Sequence, residues 1–334
     1  MRTSIYQLAA TLSLLYLSTG VMADDLYHYW PLEEGSGGTT ANLGTSGAGP
    51  ATVNNVGTGG LGGGGAAWIT NDALRGTVIS GNGDNSNSSF VTTAGIPDTV
   101  YNANWTISGW VQLSGTGSGG NDVILGNRFG GPGNNWAKLT PNNFEWRASG
   151  GGNVDITNIP SDGVWRQYTI VKNGNTIDAY INGVFDATNN FTQTFPAGNG
   201  PFFIGGDSGG ERPEGRYDDV GFFDDALEQG KIVAITEAAN NTNGLDYDLG
   251  DVNELFKLFD GEQDSVEIDG VRWLPATTDE LIDGGELGPI GVPQSDGDRF
   301  AILFSTPNGG VITAAVPEPT SVAIWSLIGL AFVG

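Results

Sequence analysis

The sequence predicts an all-β fold in which two antiparallel sheets pack face to face as a sandwich. Three observations carry that prediction. Gly 55 and Pro 15 among 334 residues place a turn former or breaker at about one position in five, too many for a helical protein and without a collagen period. Short runs of alternating apolar and polar residues, bounded by turn clusters, recur from residue 24 to residue 235. These runs follow one another with almost no helical pattern between them, which argues against βαβ units and a parallel sheet.

Size and charge narrow the function. A chain of 334 residues can bury a full core and still carry a second small unit. With 38 acidic against 13 basic residues and a net charge of −25, phosphate backbones are repelled, so no nucleic acid is expected as a partner. The absence of cysteine removes disulfides, thiolate metal sites and cysteine nucleophiles together. A single histidine, His28, removes polyhistidine metal sites and reads as an ordinary strand residue.

In chain order, residues 1–23 read as a signal peptide. Arg2 supplies the positive end, Leu8 to Leu17 the apolar run, and Val21-Met22-Ala23 the small-residue cleavage site. The main unit, residues 24–235, opens with the aromatic strand Leu26 to Leu32 and the loop Glu33-Glu34-Gly35. Residues 35–67 form a glycine- and asparagine-rich stretch in which only Val53 and Val56 offer much to pack, so a surface excursion is expected.

Trp105, Ile107, Gly109, Val111 and Leu113 alternate inward on the next strand, with Thr106, Ser108, Trp110 and Gln112 outward. Further strands are expected at 122–126, 144–147, 201–205 and 215–224, and a short helix at 226–235. The clearest element is the hairpin over 163–184. It turns at Lys172-Asn173-Gly174-Asn175 and again at Asn182-Gly183.

The order of these segments resembles a known family. Tyr29-Trp30-Pro31-Leu32-Glu33-Glu34-Gly35, then Trp105 to Val111, Gly163 to Val171 with Ala179 to Gly183, Phe203 to Gly206, and Tyr217 to Leu227 are similar to a laminin-G-like, concanavalin A-like lectin/glucanase domain. The resemblance implies a two-sheet antiparallel jelly-roll sandwich and a role in sugar binding, protein adhesion or, in a minority of relatives, glycoside hydrolysis. It also implies a structural calcium ion (Ca2+), held where the loop after the first strand meets the last strand. Glu33, or its neighbour Glu34, matches the first position and Asp219 the second, and hard oxygen ligands suit that ion.

Sugar binding needs an exposed aromatic platform flanked by polar groups. Trp110, Trp136 and Trp146 are the candidates: Trp110 alternates outward, and Trp136 lies in the polar run that begins at Gly133. Hydrolysis needs two facing carboxylates, and the Glu-x-Asp-x-x-Glu strand of related β-glucanases is not found. The nearest acidic clusters are Glu211 with Glu214, in a Gly/Pro loop, and Asp218-Asp219. A non-enzyme is therefore expected.

Residues 236–313 change composition, with 16 acidic and 3 basic residues between Thr236 and Arg299. Val252, Leu255, Phe256 and Phe259 share one face of a helix over 251–260. A hairpin turns at Asp269-Gly270, and strands are expected at 300–304 and 310–313. A small acidic α+β appendage docked on the sandwich is the expectation. Asp246, Asp248 and Asp251 lack the glycine and glutamate that complete an EF-hand loop.

Residues 314–334 carry Pro317-Glu318-Pro319 before a mostly apolar run. They resemble a PEP-CTERM sorting signal, in which the tripeptide is read by an exosortase-type membrane protease while the tail is transiently inserted in the membrane. The basic cluster of that signal is not among these residues. The combined expectation is an exported cell-envelope or extracellular-matrix protein that binds an extracellular polysaccharide or matrix protein. The alternatives are a glycoside hydrolase or lyase acting on such a polysaccharide, and a structural surface protein without a discrete ligand.

Overall fold

The computed structural model describes residues 26–115, 119–129, 135–240, 249–259, 266–268, 271–275, 299–305 and 311–315. The signal segment 1–23, the aspartates Asp246 and Asp248, and the Pro317-Glu318-Pro319 motif lie outside them. In chain order the elements are β1 (Leu26–Trp30), β2 (Thr39–Thr40), β3 (Ala51–Asn54), β4 (Trp68–Asp72), β5 (Gly76–Asn82), β6 (Phe90–Pro97), α1 (Asp98–Asn102), β7 (Trp105–Leu113), β8 (Leu125–Phe129), β9 (Asn135–Leu139), β10 (Phe144–Trp146) and β11 (Gly152–Val154). They continue as β12 (Arg166–Asn173), β13 (Thr176–Ile181), β14 (Val184–Asn190), β15 (Asn199–Ile204), β16 (Glu214–Phe223), α2 (Gln229–Asn240), α3 (Leu249–Phe259), β17 (Val266–Ile268), β18 (Val271–Pro275), β19 (Arg299–Ser305) and β20 (Val311–Ala315).

The first large sheet runs β14-β13-β12-β7-β16-β5-β4, with β1 also on β16; the second runs β11-β10-β9-β8-β15-β6-β3-β2. All pairs in both are antiparallel, so the chain forms the all-β two-sheet sandwich expected. The main core fills the space between the sheets. Ile107, Val111, Tyr168, Ile170 and Phe222 from the first sheet meet Leu125, Leu139, Phe144, Trp146 and Phe202 from the second. Trp30 stacks on Phe202 with ring centroids 5.4 Å apart, and Trp105 on Trp146 at 6.2 Å.

The central hairpin forms as read. Arg166–Asn173 pairs with Thr176–Ile181, and the next turn places Asn182 and Gly183 at φ +50° and +75°. A two-residue hairpin loop of matching twist needs that left-handed pair, which Asn-Gly supplies. Two expectations are corrected. The stretch 35–67 is not only an excursion: Ala51 and Val53 are buried in β3, which joins the second sheet beside β6. The strand expected at 122–126 is assigned three residues later, at Leu125–Phe129.

The outward face of β7 is outward from the main core yet not exposed. Thr106, Ser108 and Trp110 are all buried, and a second apolar layer explains part of that cover. Ile232 and Ile235 of α2, with Leu249, Val252 and Phe256 of α3, pack on Leu26, Tyr29, Val171, Tyr180 and Phe223. Full burial of side chains of this size contributes about 1.5–3 kcal/mol each. The amphipathic helix expected at 251–260 is α3, and through Leu249 it packs so tightly that a Cβ on Gly221 would meet Leu249 Cδ2 at 2.4 Å. The helix α3, which follows the change in composition, thus packs on the sandwich. The strands of the acidic segment form a separate sheet, β17-β18-β19-β20.

Candidate functional site

The three tryptophans named from the sequence are separated by the fold. Trp146 is 0 % exposed, lies in the main core and donates its indole N–H to Gln193 O at 3.1 Å. Trp110 is 5 % exposed and packs with Val78 and Trp165. Neither is a platform: Trp146 alternates inward, and the outward side of Trp110 is roofed. Trp136 remains half-buried, whereas Trp30, Trp68, Trp105 and Trp165 are buried.

The roof over Trp110 involves the residue assigned to a metal. Asp72, at the end of β4, accepts from the backbone N–H groups of Leu74 at 3.0 Å and Arg75 at 3.1 Å, and so shapes the tight turn into β5. That turn lays the Arg75 guanidinium 4.6 Å from the Trp110 ring centre. Arg75 Nε donates to Asp218 Oδ2 at 2.8 Å and Nη2 to Asp219 Oδ2, while Tyr29 Oη donates to Asp219 Oδ1 at 2.7 Å. Burial opposes the charge on Arg75, but Asp219 and Asp218 outweigh it and hold the guanidinium up. Burial and then the Asp219 charge push the Asp218 carboxyl well up, against Arg75.

A guanidinium therefore sits against the carboxylate that the resemblance gives to calcium. Glu33 is exposed and acts on Asp218 through its charge. Among the described residues no group of three or more His, Cys, Asp or Glu is arranged to hold a metal. With both Asp219 oxygens bonded to protein donors and a fixed cation alongside, Glu33 and Asp219 do not fit a divalent ion.

On the second sheet the antiparallel register assembles a different group. Arg128 of β8 lies opposite Trp136 of β9, and Glu145 of β10 lies opposite Lys138 of β9. Because alternate residues share a face, Arg128, Trp136, Lys138 and Glu145 all point away from the core, whose inward residues here are Leu125, Ala137, Leu139, Phe144 and Trp146. The loop between β15 and β16 adds Glu211. Asp207 Oδ1 accepts from Gly209 N at 2.7 Å and Glu211 N at 3.2 Å, and Val123 N donates to Glu211 O at 3.1 Å, which carries Glu211 onto this face.

The charges interlock around the ring. Lys138 Nζ donates to Glu211 Oε2 and to Asn121 O, each at 2.7 Å. Arg128 Nη2 reaches Glu211 at 2.8 Å and Asp207 at 2.9 Å. Trp136 donates its indole N–H to Glu145 Oε2, with Lys138 Nζ 5.3 Å and Arg128 Cζ 5.7 Å from its ring centre. The Lys138 side chain is only 3 % exposed while Trp136 is half-buried, so the indole roofs the ammonium and offers its remaining surface outward. Arg128, at 37 % exposure, and the partly exposed Glu211 and Arg147 stand around it.

Sequence reasoning located Trp136 and missed Arg128, Lys138 and Glu145. Glu211 was visible only as one acid of a loop cluster. The signal available was the pair of alternating runs on either side of Gly130-Gly131-Pro132-Gly133; the register of β8 and β9 sets Arg128 opposite Trp136. The arrangement can stack a flat apolar face on the ring and hydrogen-bond polar groups at its rim. Glu145 and Glu211 both turn onto the Lys138 ammonium, at 3.8 Å and 2.7 Å.

Residues 84–233 match the family model described as the concanavalin A-like lectin/glucanases superfamily. No curated protein matches the chain. Among solved structures, domain 4 of AbnA, an extracellular arabinanase of Geobacillus stearothermophilus in complex with arabinotriose, is 18% identical, with 62% of this chain and 96% of that one covered and a TM-score of 0.44. The binding domain of Paraclostridial Mosquitocidal Protein 1 is 17% identical, covering 66% and 54%, with a TM-score of 0.49. Trypanosoma rangeli sialidase is 12% identical, covering 64% and 32%, with a TM-score of 0.44. The chain thus spans about half of the second structure and a third of the third.

Proposed function

We propose that this chain, which carries a concanavalin A-like lectin/glucanase domain, is a non-catalytic glycan-binding protein of the cell envelope or extracellular matrix. The observation that supports it is the Trp136 ring. It is pinned by its N–H to Glu145 and backed by the Lys138 ammonium. An aromatic held in place before the ligand arrives loses little freedom on binding, and partly exposed Arg128, Glu211 and Arg147 supply donors and an acceptor for hydroxyls. Export rests on residues 1–23, and sorting by an exosortase-type membrane protease, with transient membrane insertion of the tail, rests on Pro317-Glu318-Pro319.

A glycan array with the full chain tests the binding reading: signal on at least one polysaccharide, lost in Trp136→Ala at unchanged fold, is the expected outcome. An empty array from folded protein overturns it in favour of a structural surface protein. The alternative of a glycoside hydrolase or lyase predicts new reducing ends when soluble polysaccharides are incubated with the protein, and their appearance would overturn the non-catalytic reading. Expression in a host with an exosortase, with Pro317-Glu318-Pro319 replaced by alanines, tests sorting: unchanged processing of the tail removes it.

A further inference from the structure

Resting on the reading of the Trp136 face as a glycan site, we infer that its ligand is an uncharged glycan and not a uronate- or sulfate-bearing one. Two of the cations of the face are committed to its carboxylates. Arg128 is bonded to Asp207 and Glu211 at 2.9 and 2.8 Å, and Lys138 to Glu211 at 2.7 Å. Arg147 is divided between Gly151 O at 3.5 Å and Glu145 at 3.8 Å. Arg212, the next cation along the face, is buried with its guanidinium 4.5 Å over the Phe90 ring and its Nε bonded to Asp207 O at 2.9 Å.

Around the ring, Arg128, Lys138 and Arg147 are thus matched by Glu145, Asp207 and Glu211, with no positive excess. An anionic sugar at Arg128 would have to compete with Asp207 and Glu211, and one at Arg147 would bring a second negative charge beside Glu145. It would also approach a protein of net charge −25, whose field repels polyanions before contact. An uncharged sugar asks for none of this. Its hydroxyls both donate and accept, so they can bridge Glu211 to Arg128 or Arg147 without separating either pair, while its C–H face lies on the indole.

Affinity electrophoresis and isothermal titration of the full chain against soluble arabinan, dextran and xyloglucan, and against polygalacturonate and alginate, test the inference at low and at raised salt. At least one uncharged polymer should bind, with little change on adding salt and an affinity about tenfold or more weaker in Trp136→Ala; the two polyanions should not. Trp136→Phe, which keeps a ring, should retain most of the affinity and guards against an alanine variant that fails to fold. If a polyanion binds, weakens with salt and is lost in Trp136→Ala, the uncharged class is overturned while glycan binding stands. If folded protein binds neither class, or binds equally well without the ring, the site reading falls and the inference with it.

Discussion

The two sheets each carry a tryptophan, a guanidinium and carboxylates on their outer faces, and only one of these groups is open. On the first sheet Arg75 lies 4.6 Å from the ring of Trp110 and ties down Asp218 and Asp219. On the second, Arg128 and Lys138 lie 5.7 and 5.3 Å from the ring of Trp136 and tie down Glu211. The chemistry is nearly the same and the cover is not. The turn from Asp72 to Arg75 seals the first cluster, whereas Arg128 beside Trp136 stays 37 % exposed. Sealed charges must satisfy each other, so the first cluster serves stability. Charges at a partly open ring can offer their remaining donors and acceptors to a ligand.

The sharpest way to break that contrast is to delete the two arginines. Arg75→Ala leaves Asp218 and Asp219 both buried without their guanidinium and should lower stability by about 3–5 kcal/mol, read from urea unfolding at neutral pH, whereas Arg128→Ala leaves only the buried Asp207 without it, Glu211 keeping Lys138, and should cost about 1–3 kcal/mol. Equal losses would mean that the clusters do not differ in cover.

The first sheet also holds the sole histidine. His28 is stacked 5.2 Å from Trp30 and 2 % exposed, and burial lowers its pKa to about 4, partly offset by Asn42. The folded imidazole stays neutral while the unfolded one gains a proton near its ordinary value of about 6.5. Its contribution should therefore be constant above that pH, and stability should fall by about 2–3 kcal/mol as pH drops from about 6.5 to 4. A His28→Gln variant should lack this slope. If both proteins lose stability in parallel, the first sheet is not closed around His28.

Tryptophan replacement gives a smaller difference. Trp110→Ala should cost about 3–5 kcal/mol, and Trp136→Ala about 1 kcal/mol while abolishing most glycan affinity. The smallest effect expected is none at all. Calcium added to metal-free protein should give no titration heat and leave the melting temperature in place, because Arg75 already neutralises Asp219. A clear rise would return the Glu33 and Asp219 assignment to consideration.

Much of the fold could be read because strand alternation is a local property. The β7 pattern, the Asn182-Gly183 turn, the face of α3 and the pairing of β17 with β18 each needed only neighbouring residues. Strands β3 to β6 escaped because Gly, Thr and Asn weaken the alternation there. The site was harder to read for a different reason. Alternation says on which side of a sheet a residue stands, not whether that side is covered. Trp110 pointed outward and was roofed by residues from 72–75 and 218–219, far from it in sequence. Trp136 acquired its meaning from Arg128 and Glu145, which are placed by register across three strands, and from Glu211, placed by a loop that Asp207 folds.

The pairing of β1 with β16, in which Trp30 faces Val220, has a kinetic consequence. The first aromatic strand has no sheet partner until the last strand of the sandwich is present, and the Tyr29–Asp219 hydrogen bond closes a separation of 190 residues. Contacts of such range slow folding, because the closing entropy is spent before the contacts form. Through that delay the apolar segment Leu-Tyr-His-Tyr-Trp is an unsatisfied edge, able to capture another chain as readily as its own. Refolding yield should therefore fall steeply with protein concentration, and the docking of β1 should be among the last events to complete.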